Sequence, residues 1–154
     1  MAKVLKVAHT EFTVSDMDRT VAFWKDIMGG EIIEECYNDN DVMGITVLGN
    51  PDRPHAAFKV VKLLLGGHII ELFQYDDPVT KPFHGDPSVA GSAHLAFYVN
   101  DIRAFVDEIR GKGVKVLSDI QADEQDGVVK VLWVNVLDPD GIVVELYQDM
   151  TGTI

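Results

Sequence analysis

The sequence predicts an α+β fold: two tandem βαβββ modules whose curved mixed sheets surround a cavity, with helices on the outer faces. Two observations predict it. The segment from His9 to Asp16 reads HTEFTVSD and that from His94 to Asp101 reads HLAFYVND, with His, Phe, Val and Asp at one shared spacing. Later, Ile69 to Gln74 reads IIELFQ and Val143 to Gln148 reads VVELYQ. Each half thus runs from a His-headed strand, through a helix, to a strand with Glu in its middle. The halves are residues 1–77 and 93–154, together one domain, and the proline-containing stretch 78–92 is the linker between them.

The elements follow in order. Val7 to Val14 alternates as a strand does. Ser15 is placed to cap a helix, with Asp18 three positions on in a capping-box arrangement. Met17, Val21, Trp24 and Met28 form an apolar stripe at helical spacing, and Gly29-Gly30 ends it. Strands are expected over Glu31–Cys36, Ala57–Leu65 and His68–Tyr75, the last two joined as a hairpin by Gly66-Gly67. Residues 41–50 fit a short helix or a strand.

In the second half, Asn100 or Asp101 caps a helix striped by Ile102, Phe105, Val106 and Ile109 that stops near Gly111. Strands follow over Gly113–Leu117, Val128–Leu137 and Ile142–Gln148, with Asp138-Pro139-Asp140-Gly141 as the last turn. The loops between Asn38 and His55, and between Asp119 and Val128, are expected to shape a pocket. One such half would leave a sheet face bare, so two must pair, within a chain or across chains.

Composition narrows the function. With 154 residues, 47% of them hydrophobic and 25% charged, the chain is an ordinary globular protein. A net charge of −12 repels phosphate backbones, so nucleic acid is not an expected partner. No apolar run reaches the roughly 20 residues of a membrane helix, and no membrane partner is expected. The N-terminus shows no signal peptide, and the single cysteine fits a reducing compartment, so the expected location is the cytoplasm.

Strand parity selects the chemistry, because alternate side chains share a face. His9, Glu11 and Thr13 lie opposite Phe12 and Val14. His94, Ala96 and Tyr98 lie opposite Leu95, Phe97 and Val99. Glu71 shares its face with Ile69, Phe73 and Tyr75, and Glu145 shares its own with Val143 and Tyr147. If the apolar faces pack on the helices, these mixed faces line the concave surface, with Val131, Trp133 and Asn135 in the wall. A single strand histidine is most often structural; two His and two Glu at matching points of a repeat are hard to explain by packing. A pseudo-two-fold axis would bring His9, Glu71, His94 and Glu145 around one point. Two imidazoles and two carboxylates can bind one first-row divalent ion, leaving two octahedral positions for water or for a substrate with two neighbouring oxygens. His68 has the parity of Ile70 and Leu72 and reads as a buried structural residue. His55 and His84 read as solvated loop residues, and Cys36 as a core residue. Glu11 is a candidate partner to the site or a general base.

These motifs (HTEFTVSDMDRTVAFW, GHIIELFQY, AHLAFYVNDI and DPDGIVVELYQ) resemble the vicinal oxygen chelate superfamily of glyoxalases, bleomycin-resistance proteins and dioxygenases, over nearly the whole chain. The ligand set is most similar to that of bacterial-type glyoxalase I, whose four metal positions look matched by His9, Glu71, His94 and Glu145. The resemblance implies one divalent ion (Ni, Co, Zn, Mn or Fe), a small-molecule substrate with adjacent oxygens, and a homodimer. It further implies an isomerase, epimerase or lyase that removes a proton α to a carbonyl through a metal-stabilised enolate, with Glu145 and Glu71 alternating between ligand and base. Glu11, Thr13, Phe73, Tyr75, Tyr98, Trp133 and Asn135 would line the substrate pocket. Thr13 stands where glyoxalase I carries an arginine for the glutathione carboxylate, and the nearby Glu11 disfavours an anionic thiol conjugate. Gly91-Ser92-Ala93-His94 replaces the His-His segment of methylmalonyl-CoA epimerases. The alternatives are an Fe(II) extradiol-type dioxygenase, which normally uses only three protein ligands, and a non-catalytic ligand-binding protein of the bleomycin-resistance type.

Overall fold

A computed structural model describes residues 1–82 and 88–154; His84 and the middle of the expected linker lie outside the described residues. The chain divides into two compact units, Met1–Pro82 and Phe83–Ile154. Each carries a mixed sheet with a helix on one face, the α+β architecture expected.

In the first unit the strands are β1 (His9–Thr13), β2 (Glu31–Asn40), β3 (Ala56–Leu65) and β4 (His68–Asp77), in the sheet order β1-β4-β3-β2. β1 runs parallel to β4, and the other pairs are antiparallel. Helix α1 (Met17–Ala22) continues as a π-helical turn over Phe23–Ile27, so the apolar stripe spans both. Its cap is Asp16, whose carboxylate accepts from the Arg19 N–H, and not Ser15, whose hydroxyl meets the Arg19 guanidinium instead. Trp24 is fully buried, stacked on Phe12 and edge-on to Phe23, and the sheet's Leu63, Ile70 and Leu72 are likewise fully buried.

The ambiguous stretch 41–50 resolves as the short helix α2 (Met43–Leu48). Gly44 fixes its position: a Cβ there would collide with the Arg53 carbonyl, while the Gly44 N–H donates to the Pro54 carbonyl at 2.7 Å. Met43, Val47 and Leu48 thereby cover an aromatic cluster of Phe58, Phe73 and Tyr75 on the sheet face away from α1.

In the second unit β5 (Leu95–Tyr98) runs parallel to β9 (Val143–Asp149), and β9 pairs antiparallel with β8 (Val128–Leu137). The opposite edge of β8 is shared by β6 (Lys115–Val116) and β7 (Gln121–Gln125). Helix α3 (Ile102–Gly111), capped by Asp101, buries Ile102, Val106 and Ile109; the sheet buries Val134, Val136, Val144 and Leu146.

Besides the Ser15 cap, four expectations need correction. β7 occupies part of the stretch read as a loop, because its residues are all exposed and show no apolar alternation. β6 is only two residues long, although the Leu117 N–H still donates to the Asn135 carbonyl on β8 at 2.9 Å. Cys36 is exposed rather than core: β2 continues to Asn40 as the outer strand of its sheet, where few residues are covered. His55 is not a freely solvated loop residue, because its imidazole lies 3.2 Å from Asp41, 3.6 Å from Asp77 and 3.7 Å from Asp39. His68 is half-buried and meets the Thr10 hydroxyl at 2.9 Å, the structural role its parity gave it.

Candidate functional site

Parallel pairing in the first unit sets Glu11 opposite Glu71 and Thr13 opposite Phe73. His9 thus falls diagonally beside Glu71, with its Nδ1 3.7 Å from Glu71 Oε1. Antiparallel pairing then sets Lys62 opposite Glu71, and Glu34 opposite Lys62. The Lys62 ammonium lies 3.5 Å from the same Glu71 Oε1 and 3.1 Å from Glu34 Oε2. A charged row, Glu11–Glu71–Lys62–Glu34, therefore crosses all four strands. Burial and the neighbouring Glu71 charge push the Glu11 carboxyl above the usual carboxylate range, with His9 pulling the other way. The hydrogen bond to Glu34 is the main force raising the Lys62 ammonium, which keeps it charged. Phe73 and Tyr75 sit buried under α2, where desolvation first, and then the Glu11 charge, push the Tyr75 phenol up to about 12. Thr13 is exposed.

The second unit repeats the pair. Parallel pairing places Ala96 opposite Glu145, and His94, two residues earlier, brings its Nε2 to 3.1 Å from Glu145 Oε2. On the other side of β9, Asn135 stands opposite Glu145 and Trp133 opposite Tyr147. Tyr147 shares the recess with Glu145; desolvation chiefly, and the carboxylate's charge, raise its pKa. Tyr98 packs against Tyr147 with ring centroids 5.9 Å apart, and the Trp133 indole N–H donates to Asp123 on β7. Asn135 Oδ1 is buried without a hydrogen-bond partner among the described residues. A recess of about 250 Å³ opens beside Glu145, lined also by Ala96, Tyr98 and Tyr147.

The two pairs share one disposition. The imidazoles are 45% and 56% exposed, whereas each carboxylate is 12% exposed. Buried acceptors beside open imidazoles give each unit one nitrogen and one oxygen donor, the donor types that first-row divalent ions take. The residues thus fit such an ion in kind, and each unit supplies one pair; among the described residues no three His, Cys, Asp or Glu side chains form a ready metal-holding group.

Lys62 and Glu34 were not singled out from the sequence, yet the signal was there. A two-residue Gly66-Gly67 turn sets Leu65 opposite His68, and counting back along both strands pairs Lys62 with Glu71. Glu34 is harder to reach, since a register shift between Ile32 and Glu34 breaks the count on β2.

Residues 6–146 match the family described as Glyoxalase/Bleomycin resistance protein/Dioxygenase superfamily. The chain belongs to this superfamily. It is 30% identical to a 2-epi-5-epi-valiolone epimerase from an Actinomyces species, covering 95% of this chain and 80% of the relative. It is 27% identical to the lactoylglutathione lyase of Haemophilus influenzae, covering 94% and 93% of the two chains. Among solved superfamily structures, a glyoxalase family protein from Bacillus cereus superposes with a TM-score of 0.81 over 96% of each chain; at 16% identity, that likeness concerns the fold.

Proposed function

We propose that the protein is a metal-dependent isomerase, epimerase or lyase acting on a small molecule with neighbouring oxygens, with His9, Glu71, His94 and Glu145 as metal ligands. The observation that carries this reading is the paired geometry. In both units an exposed imidazole stands against a buried carboxylate at equivalent positions of the repeat. The superfamily includes lyases and epimerases, and two relatives bear names of that kind.

A divalent ion in such a site supplies Lewis-acid stabilisation of the charge that develops on a substrate oxygen. The other work falls to the chain. Glu145, and Glu71 in the reverse sense, would accept the α-proton at a carboxylate oxygen and return it. Tyr98 and Tyr147, packed on one another, would wall the recess beside Glu145 and limit water there. Glu11 and Thr13 would face the substrate from β1, Trp133 and Asn135 from β8, with Phe73 and Tyr75 as the apolar backing.

The test has two readings. Metal-stripped protein is titrated with Mn²⁺, Co²⁺, Ni²⁺ and Zn²⁺, and the loaded protein is then incubated in D₂O with an α-hydroxyketone while NMR follows deuterium uptake at the α-carbon. Saturable binding that disappears in His94→Ala is expected, with uptake that falls at least about 100-fold in Glu145→Gln. Binding without uptake would remove the proton-transfer reading. Purified protein that carries iron and consumes oxygen would favour the dioxygenase.

A further inference from the structure

The two pairs differ in what flanks them. Glu145 faces neutral Ala96 on one side and Asn135 on the other, whereas Glu71 faces Glu11 and Lys62. Glu71 Oε1 is thus approached by two groups, His9 Nδ1 at 3.7 Å and Lys62 Nζ at 3.5 Å. An ammonium at that oxygen and a divalent ion on the same carboxylate repel one another, and both need the oxygen's lone pairs. Lys62 has somewhere else to go. Glu34, on the next strand, already holds it at 3.1 Å and is half exposed, so the lysine can give up Glu71 without losing a partner.

We propose that Lys62 is the resident counter-ion of Glu71, released onto Glu34 when a divalent cation takes that carboxylate, so that the Lys62–Glu34 pair sets metal affinity. The inference rests on Glu71 being a metal ligand. In the ion-free chain the ammonium offsets the repulsion between Glu71 and Glu11. On loading, the ion assumes that task and the lysine shifts by one strand. Lys62 opposes binding in this scheme, and Glu34 favours it by drawing the lysine away. The two effects are therefore coupled: without Lys62, Glu34 has nothing to draw.

The experiment is a double-mutant cycle read by calorimetric titration of metal-stripped protein with Mn²⁺, without reference to turnover. Lys62→Met is expected to tighten binding about fivefold to tenfold, and Glu34→Gln to weaken it about threefold to fivefold. In the Lys62→Met background, Glu34→Gln should leave the dissociation constant within about 1.5-fold. Lys62→Gln, isosteric and polar, repeats the first arm should the Met variant fold poorly, and circular dichroism checks each variant. Unchanged or weaker binding in both lysine variants overturns the proposal. A Glu34→Gln effect of equal size in both backgrounds also overturns it, since that is plain long-range charge. Two controls keep this failure apart from failure of the ligand assignment. If wild type shows no saturable Mn²⁺ binding, or His9→Ala and Glu71→Gln bind as wild type does, the ligand assignment falls and this inference falls with it.

Discussion

Asp138 opens the turn between β8 and β9, with Oδ1 accepting from the Asp140 and Ile142 N–H groups at 2.8 Å. Its Oδ2 is buried without a partner among the described residues, and burial pushes the carboxyl up to about 6, against the pull of those N–H groups. A carboxyl raised in the folded state stabilises while protonated. Its contribution is complete below about pH 4 and is lost as pH rises through about 6, a swing on the order of 2–3 kcal/mol. Asp138→Asn keeps the accepting oxygen and removes the titration. Between pH 5 and pH 8, urea-derived stability of the wild type should fall by about 1 kcal/mol relative to this variant; a constant gap would refute the assignment. At this scale the sequence was legible wherever parity decides. His9, Glu11 and Thr13 do share the open face, and Phe12 and Val14 the covered one. It was not legible for Cys36, because parity gives a face but not whether a neighbouring strand or helix covers it.

At the scale of elements, the repeat extends to hydrogen bonds that the motifs implied without explaining. The last residue of each shared segment, Gln74 or Gln148, turns its side-chain oxygen to the first N–H of its unit's helix: Met17 at 2.6 Å, Ile102 at 2.9 Å. Asp16 and Asp101 cap the following N–H groups. Helix start and final strand are thus tied in both units, which keeps the central Glu of that strand at a fixed height along the helix. Gln148→Ala should destabilise the protein by about 1–2 kcal/mol in urea unfolding, by orphaning a half-buried donor; a change under about 0.3 kcal/mol would show that water replaces the glutamine. Strand β7 was missed for want of apolar alternation, though Asp126-Gly127 marked its hairpin. Both residues adopt positive φ, 53° and 75°, the turn that Asp-Gly favours between strands. The apolar signal failed there because the hairpin strand is solvated throughout.

At the scale of the whole molecule, duplication was the legible feature, and the pairing of strands into two mixed sheets followed from it. What the repeat could not convey was which strand ends at a sheet edge. β2 does, with Ile33 47% and Tyr37 53% exposed along a ten-residue edge. Glu31, Glu34, Glu35 and Asp39 stud that strand, and charge on an edge blocks edge-to-edge association. The double change Glu31→Gln with Glu35→Gln should weaken this protection. Light scattering at neutral pH and fixed protein concentration should rise in that variant relative to the wild type. The control pair Asp107→Asn with Glu108→Gln, on α3, removes as much negative charge; an identical rise from it would mean that overall charge, not the edge, governs association.

The unequal flanks of the two carboxylates make the halves chemically non-interchangeable. A His–Glu couple recurs in each half, while its cross-strand neighbours differ, Glu11 and Lys62 in one half and Ala96 and Asn135 in the other. The flanks are ionic in one half and neutral in the other. A molecule assembled from two second halves would keep its imidazoles and carboxylates yet lack every charged residue that now sits beside Glu71.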